Sequence, residues 1–119
     1  MRIVTFVSVC GRHTLYLCNI KMFMMEIQIE QVLRDGTATV VDVRTPSEYS
    51  GGHVPGSINI PLQELSGRMD ELKSMRNIVV CCASGGRSNM AAVLMKQEGI
   101  IVMDGGSWLN LNFLINNGR

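Results

Sequence analysis

The most informative segment of the chain comprises residues 78–95 and reads IVVCCASGGRSNMAAVLM. Residues 78–81 are a continuous apolar run, which is typical of a strand buried on both faces of a parallel sheet. Gly85 and Gly86 then predict a tight loop. After the loop, four apolar residues recur at helical spacing and are expected on the inward face of a helix: Met90, Ala91, Leu94 and Met95. The segment therefore predicts a strand, a glycine loop and a helix, the unit from which α/β proteins are built.

Upstream of this segment, helical and strand signals also alternate. Helical spacing of apolar residues ends at Gly36, a typical helix stop, and residues 39–43 are a β-branched run of strand length. Residues 45–48 read TPSE, which combines an N-cap threonine, a proline at the first helical position and a glutamate at the third. This capping box predicts a short helix that runs to about Ser50, and residues 57–60 predict a brief strand after it.

The remaining elements continue the same alternation. Pro61 opens a predicted helix with four inward apolar side chains: Leu62, Leu65, Met69 and Leu72. Further along, Gly99 ends the helix of the first segment, residues 100–103 predict a strand, the glycines at 105–106 a turn, and residues 108–115 an apolar helix. Alternating helices and strands predict an α/β fold with a parallel sheet.

Length and composition limit the classes of protein that the chain can represent. Its 119 residues amount to one domain, and 46% apolar with 18% charged residues is an ordinary globular composition. Eleven Lys and Arg against ten Asp and Glu give a net charge of +1 without blocks of like charge, which argues against a nucleic-acid binder. No apolar stretch reaches the roughly 18–20 residues of a spanning helix. We therefore expect no nucleic-acid partner and no membrane insertion.

The first 24 residues differ in pattern from the rest of the chain. Arg2 followed by an apolar run at residues 3–10 imitates a signal peptide, but the run is short for that purpose and Gly11 interrupts it. A cluster of methionines lies where the globular pattern begins. We therefore interpret residues 1–24 as a translated leader, or alternatively as a weak export signal that would direct the protein to the periplasm, and residues 25–119 as the folded domain.

The four cysteines indicate a reducing compartment. Cys10 with Cys18, and Cys81 with Cys82, lack the spacing of a CxxC redox or zinc motif, so no metal site is expected. Adjacent cysteines seldom bridge, because the peptide between them resists disulfide geometry. At least one of Cys81 and Cys82 is therefore expected to be a free thiol, which predicts a cytoplasmic location.

The loop at residues 82–88 has the features of an anion-binding site. The first N–H groups of a helix lack intrahelical partners, so a loop that ends at a helix N-terminus binds negative groups and lowers the pKa of a thiol within it. Gly85 and Gly86 allow positive φ angles that turn successive N–H groups inward. Arg87 adds a positive charge, either aimed into the loop or bracing its outside. The adjacent cysteines thus differ: Cys82 is predicted to be a thiolate, and Cys81 a small buried residue.

Two kinds of enzyme place a cysteine in such a loop, and spacing separates them. Counted from Cys81, five residues precede Arg87, as in the C-x5-R loop of cysteine phosphatases, but Val80 and Ser84 stand where those enzymes usually carry His and Gly. Counted from Cys82, the string CASGGRS resembles the C-x-x-G-x-R-[ST] active-site loop of rhodaneses, the sulfurtransferase family. Every defining position of that loop is matched.

The resemblance to rhodaneses extends upstream of the loop. Asp42 and Arg44 match the family's D-x-R motif, and Glu48 matches its E-[YF] motif. The string GHVPGSINIP, which contains His53, is similar to the family's G-H-I-P-G-A-x-N-I-P motif. The match covers residues 26–109, in order and at the family's spacing. It implies the single-domain rhodanese fold, an α/β fold with a five-stranded, mostly parallel sheet flanked by helices on both faces.

The resemblance also implies a sulfurtransferase in which Cys82 is the nucleophile. Its thiolate would attack the outer sulfur of a donor such as thiosulfate, keep that sulfur as a persulfide and release sulfite, and a thiol or cyanide would then accept the sulfur. Neither metal nor organic cofactor is needed, and the acceptor can be a small molecule or a protein thiol. Loop N–H groups would stabilise the anion. The loop residues are Ala83, Ser84, Gly85, Gly86, Arg87 and Ser88, of which Ser88 is also expected to cap the helix.

The other signature residues are expected to support the loop rather than to react. Asp42 and Arg44 lie two residues apart at the end of a strand and point to the same side, which allows an ion pair across to Arg87 or Glu48. His53 follows a glycine pair and precedes Val-Pro-Gly, so it is expected to fix a turn by hydrogen bonding.

Three alternatives stay open from the sequence. A rhodanese-like fold without activity can serve as a binding or regulatory module, although such a module has no physical need for Cys82, Gly85 and Arg87 together. A cysteine-based phosphatase or arsenate reductase can use Cys81 or Cys82, although the loop after Cys82 is one residue short for a phosphate-sized anion. A persulfide carrier can also depend entirely on a protein partner.

Overall fold

The computed structural model describes residues 24–25 and 27–117, so residues 1–23 of the predicted leader lie outside the described residues and the leader stays a prediction. Four strands form one sheet: β1 Thr39–Asp42, β2 Ile58–Asn59, β3 Ile78–Cys82 and β4 Val102–Ser107. Helices connect them: α1 at residues 27–35, α2 Pro46–Ser50, a 3-10 helix Leu62–Arg68 that leads into α3 Met69–Lys73, α4 Gly86–Gln97 and α5 Trp108–Asn117. None of these helices combines the length and apolarity needed to cross a membrane.

The strands lie in the order β2-β1-β3-β4, and each neighbouring pair is parallel. The predicted α/β class with a parallel sheet is confirmed, but the described residues form four strands where the resemblance implied five. In the part of the chain that the structure describes, residues 27–35 upstream of β1 are helical, and no fifth strand forms there.

The sheet separates two hydrophobic cores, one on each face. The 3-10 helix, α3 and α4 cover one face, and α1 and α5 cover the other. Because side chains alternate along a strand, successive residues of β3 enter different cores. Val80 and Cys82 pack under α4, whereas Val79 and Cys81 pack toward α1 and α5. The two adjacent cysteines therefore point to opposite faces of the sheet.

The capping box predicted at residues 45–48 is confirmed and begins α2. Thr45 Oγ1 accepts a hydrogen bond from the Glu48 backbone N–H (3.2 Å), and Glu48 Oε1 accepts one from the Thr45 backbone N–H (3.0 Å). These reciprocal bonds satisfy N–H groups that have no partner within the helix. They also fix the Glu48 carboxylate at the start of α2.

The helix predicted between β2 and β3 buries the predicted side chains, but only its second part is α-helical. Leu65 and Leu72 are fully buried, and the other two predicted inward side chains pack against the same core. However, Leu62–Arg68 is a 3-10 helix, and the α-helix begins only at Met69. Gly67 costs an α-helix about 1 kcal/mol relative to alanine, and the α-helix begins two residues after it.

The prediction that Met90 faces inward on α4 is wrong. Met90 is 57% exposed, whereas Ala91, Ala92 and Met95 are buried. At about 100° per residue, Met90 lies about 140° from Met95 around the helix, so the two side chains cannot share one narrow face. The two alanines form the buried surface instead, and their small side chains let α4 lie close to the sheet.

The glycine pair predicted as a turn belongs to β4. The register of β3 with β4 shifts between Val80 and Cys81, which leaves Gly105 as an extra residue in a β-bulge. A Cβ on Gly105 would come within 2.8 Å of Val79 Cγ1, so only glycine fits. Gly106 takes a φ of +72°, which glycine adopts without strain. The bulge bends β4 and lets it continue beside the end of β3.

Candidate active site

Cys82 is the last residue of β3 and lies at the carboxyl edge of the sheet, where parallel α/β folds bind their ligands. After Cys82 the chain makes a short loop and enters α4 at Gly86. The loop folds back over the sulfur, so that Cys82 Sγ accepts hydrogen bonds from the backbone N–H groups of Gly85 (2.9 Å) and Ser88 (3.3 Å). The structure thus brings the N-terminal donors of α4 onto the Cys82 sulfur.

Gly85 allows the loop to close in this way. It has a φ of +108° and forms the N-cap of α4, with no side-chain cap. L-residues with a side chain avoid this region, so glycine is the residue that fits here. The outer side of the loop is open to solvent, because Ala83, Ser84 and Gly86 are exposed. A small anion can therefore reach the loop from outside.

The surroundings of Cys82 favour its thiolate. Burial raises the pKa of the Cys82 thiol, but hydrogen bonds to the sulfur outweigh burial and leave the pKa below its ordinary value. The Ser88 backbone N–H contributes most to this lowering, followed by the Ser88 hydroxyl and the N–H groups of Gly85 and Ser84. The thiolate is the nucleophilic form of cysteine, so the site holds a sulfur prepared for attack.

Cys81 has the opposite environment. It is fully buried in the core under α1 and α5, as predicted. Burial raises the pKa of the Cys81 thiol to about 12, and the nearby charge of Asp42 adds to the increase. Cys82 is buried as well, at 1% exposed, so the two thiols differ in ionisation and not in exposure. Because the thiolate is the nucleophilic form of cysteine, the raised pKa of Cys81 argues against the phosphatase register that begins there.

Asp42 and Arg44 form a buried ion pair with each other, and not with Arg87 or the Glu48 side chain as the sequence suggested. Arg44 donates through Nε to Asp42 Oδ1 (2.9 Å) and through Nη2 to Oδ2 (2.8 Å). Two side chains on the same side of an extended segment can close such a pair locally. Arg44 Nη2 also donates to the Gly52 carbonyl oxygen (2.7 Å). The pair therefore anchors the chain that follows α2.

Arg87 lies against Glu48 outside the loop. Its Nη1 and Nη2 donate to Glu48 Oε1 (2.8 Å) and Oε2 (3.0 Å), and both side chains are half-exposed. The Arg87 guanidinium, followed by the Thr45 backbone N–H, lowers the pKa of Glu48 to about 2. The sequence allowed Arg87 either to point into the loop or to brace it from outside, and the structure shows the second arrangement. The guanidinium ties α4 to α2.

Ser88 does not cap α4, because Gly85 occupies the N-cap and Ser88 is the third residue of the helix. Its side chain is buried, and Oγ lies 3.1 Å from the Gly85 carbonyl oxygen and 2.7 Å from Asp104 Oδ1. Asp104 is a residue near the site that the sequence did not single out. Its only signal was a carboxylate directly before a glycine pair, and the contact depends on the bulge that follows it.

His53 lies on the surface beside α2. Its ring stacks on the ring of Tyr49 with 3.7 Å between centroids, and Nδ1 is 2.7 Å from the Tyr49 carbonyl oxygen. These contacts hold the turn after α2, which is the role that the sequence predicted. Gly52, directly before His53, lies against the Trp108 side chain, and Arg44 lies over the Trp108 ring at 4.8 Å.

Comparison with known proteins gives the family. The rhodanese-like domain matches residues 27–108. The putative sulfur carrier protein YrkF of Bacillus subtilis is 41% identical over 59% of this chain and 38% of its own length. A sulfurtransferase of Allochromatium vinosum is 37% identical over 50% of this chain and 56% of its own length. Among solved structures, a rhodanese with anions from E. coli is 32% identical with a TM-score of 0.56, over 61% of this chain and 89% of that chain.

The extent of these matches defines what is shared. The chain spans less than two thirds of the length of the curated relatives, between 21% and 62% of it. The E. coli rhodanese, by contrast, is matched over 89% of its chain. The matched region contains the whole parallel sheet and the Cys82 loop. By fold and by sequence, the chain belongs to the rhodanese-like domain family.

Proposed function

We propose that the protein is a sulfurtransferase that carries a sulfane sulfur as a persulfide on Cys82. The observation that carries the proposal is the Cys82 sulfur itself, which accepts hydrogen bonds from the Gly85 and Ser88 N–H groups at the start of α4. Two relatives, a sulfurtransferase and a putative sulfur carrier protein, support the same chemistry. The donor is thiosulfate or a persulfide.

The proposed reaction has two steps that balance without an external oxidant. The Cys82 thiolate attacks the outer sulfur of thiosulfate, a new S–S bond forms, and the S–S bond of thiosulfate breaks as sulfite leaves with the electron pair. An acceptor thiolate or cyanide then attacks the outer sulfur of the persulfide. Cys82 leaves as a thiolate and is ready for the next cycle. The lowered pKa of Cys82 makes it a better leaving group in this second step.

The loop supplies the electrostatic stabilisation. The Gly85 and Ser88 N–H groups donate to the sulfur, and the loop amides from Ala83 to Ser88 would bind the donor anion. Loss of one donor of this kind costs about 3 kcal/mol of transition-state stabilisation. Arg87 is neutralised by Glu48, so the donor is held mainly by backbone amides and the helix N-terminus. In this proposal Asp42, Arg44, Glu48 and His53 are supporting residues. They hold the chain around the loop and touch no reacting atom.

An intact-mass experiment tests the proposal. The reduced wild type, Cys81→Ser and Cys82→Ser are each incubated with thiosulfate. Wild type and Cys81→Ser are expected to gain the mass of one sulfur atom, and Cys82→Ser is expected to gain none. Addition of cyanide should remove the extra mass and release thiocyanate. An adduct that disappears only in Cys81→Ser would overturn the assignment of the nucleophile, and an unmodified wild type would favour a binding module or a carrier that depends on a protein partner.

A further inference from the structure

The first turn of α4 is attached both to the Cys82 sulfur and to β4. Ser88 is fully buried in this turn. Its backbone N–H donates to Cys82 Sγ (3.3 Å), and its hydroxyl donates to Asp104 Oδ1 (2.7 Å). The Gly85 carbonyl oxygen also lies near this hydroxyl, at 3.1 Å, but it already accepts the Asn89 backbone N–H. A serine hydroxyl carries one proton, and a carboxylate is the stronger acceptor, so that proton belongs to Asp104.

The β-bulge of β4 fixes the other end of this link. Asp104 Oδ1 also accepts the Gly106 backbone N–H (3.0 Å), directly after the bulge. The next residue, Ser107, pairs with Cys82 in the sheet. The carboxylate is therefore attached to the strand that lies beside Cys82, while Ser88 attaches it to the helix that lies above the sulfur.

The start of α4 depends on this link because the helix has no side-chain cap of its own. Its N-cap is Gly85, which has no side chain to accept the free N–H groups of the first turn. The Asp104 carboxylate holds this turn from β4 instead, at the end of the helix where a negative charge is favourable. The loop also lies against the same strand, since a Cβ on Gly85 would meet Gly106 Cα at 3.9 Å.

The charge of Asp104 acts against the thiolate, so its charge and its hydrogen bond have opposite effects. The other charged side chains around the loop are paired, Arg87 with Glu48 and Arg44 with Asp42. Within the part of the chain that the structure describes, Asp104 forms no ion pair, and its hydrogen bonds come from a hydroxyl and a backbone N–H. A nearby negative charge disfavours an ionised thiol. A test of Asp104 must therefore separate its charge from its hydrogen bond.

We propose that Asp104 is a positioning residue for Cys82: through Ser88, its carboxylate anchors the first turn of α4 to β4 and so keeps the backbone N–H donors on the sulfur. These donors are the N–H groups of Gly85 (2.9 Å) and Ser88. Asp104 itself touches no reacting atom. The inference rests on the proposed function only in taking Cys82 as the reacting atom.

Alkylation of Cys82 by iodoacetamide across pH tests this role, because its rate follows the thiolate. Asp104→Asn and Asp104→Ala are a matched pair, since both remove the charge. Both hydrogen bonds of the carboxylate go to Oδ1, an acceptor that asparagine keeps and alanine lacks. Below the titration midpoint, the thiolate fraction is expected to be about fivefold lower in Asp104→Ala than in Asp104→Asn, the effect of weakening one hydrogen bond to the thiolate. In the Ser88→Ala background this difference is expected to disappear.

Ser88→Ala alone breaks the same link from the helix side and leaves the charge of Asp104 in place. It is expected to lower the Cys82 thiolate fraction relative to the wild type by a similar factor, and it keeps the test decisive if Asp104→Ala does not fold.

Equal thiolate fractions in Asp104→Asn and Asp104→Ala would overturn the proposal, and so would an unchanged fraction in Ser88→Ala. A difference that persists in the Ser88→Ala background would overturn the role of Ser88. Cys81 is the internal control, because it is fully buried and reacts only when the domain opens. Faster alkylation of Cys81 with an unchanged pH profile of Cys82 would show a purely structural role and contradict the proposal. Alkylation requires no sulfur transfer, so this experiment and the persulfide experiment can fail independently.

Discussion

The buried ion pair of Asp42 and Arg44 lies at the edge of the site. Replacing only one of its two residues lowers the free energy of unfolding by an amount that can be estimated. The two residues are 0% and 4% exposed. Besides its bonds to Asp42, the Arg44 guanidinium donates to the Gly52 carbonyl oxygen and lies over the Trp108 ring. The substitution Arg44→Met keeps an apolar stem of similar length and removes the charge. Asp42 then stays buried without its cation.

Breaking a buried ion pair from one side costs about 3–5 kcal/mol, because an uncompensated charge remains. In Arg44→Met, Asp42 keeps one donor, the backbone N–H of residue 44, which lies 3.0 Å from Oδ1. We therefore expect a loss at the lower end of that range, about 3 kcal/mol in the free energy of unfolding. For a domain of this size the loss corresponds to a fall in Tm of roughly 10–15 °C.

Urea unfolding of the wild type, Arg44→Met and the double variant Asp42→Leu with Arg44→Met measures this cost. The double variant leaves no unpaired charge and is expected to be more stable than Arg44→Met. A loss below about 1 kcal/mol, the range of surface ion pairs, would refute the reasoning. So would a double variant that is no more stable than the single one.

Two further substitutions test the loop and its brace. Gly85→Ala is expected to cost about 1–2 kcal/mol and to slow alkylation of Cys82, because a side chain is strained at φ +108° even though a Cβ there meets nothing nearer than 3.9 Å. Gly86→Ala, at a position without positive φ, is the matched control, and equal losses in both variants would contradict the prediction. Glu48→Gln should lower the free energy of unfolding above about pH 4.5, where the Glu48 carboxylate pairs with Arg87. Arg87 lowers the pKa of Glu48 to about 2, so this contribution is lost as the pH falls toward about 2. Urea midpoints of the wild type and Glu48→Gln should therefore converge in acid, and a difference independent of pH would argue against the Arg87 pair.

Features that depend on neighbours in the chain were predictable from the sequence. The capping box of α2 depends only on residues 45–48, and the β3 strand depends only on its apolar run. Both predictions are confirmed. The bulge at Gly105 was not predictable, because it depends on Val79 and Leu111 filling the space where a side chain would lie. The contact of Ser88 with Asp104 follows from that bulge and joins residues 16 positions apart. Such contacts exist only once β4 and α4 have packed together.

The partners in the two ion pairs also could not be predicted from the sequence alone. Sequence spacing correctly places Asp42 and Arg44 on one side of the chain, but it does not determine which partner each selects. Selection depends on burial: the fully buried carboxylate of Asp42 takes the nearest bidentate donor, and the half-exposed Glu48 is left for Arg87. The sequence therefore indicated the four participants, and burial in the folded domain determined the pairing.

The difference between the two adjacent thiols has a simple origin in strand geometry. Cys81 and Cys82 share the same strand and differ by one position, yet the pKa of one is raised to about 12 and that of the other is lowered. Alternation along β3 sends Cys81 into the apolar core under α1 and α5, and it sends Cys82 to the face on which α4 begins. Gly85 then turns the chain so that the free N–H groups of that helix meet the sulfur. A shift of β3 by one residue would exchange the two environments, so the apolar residues that fix the register of β3 also select which thiol can react.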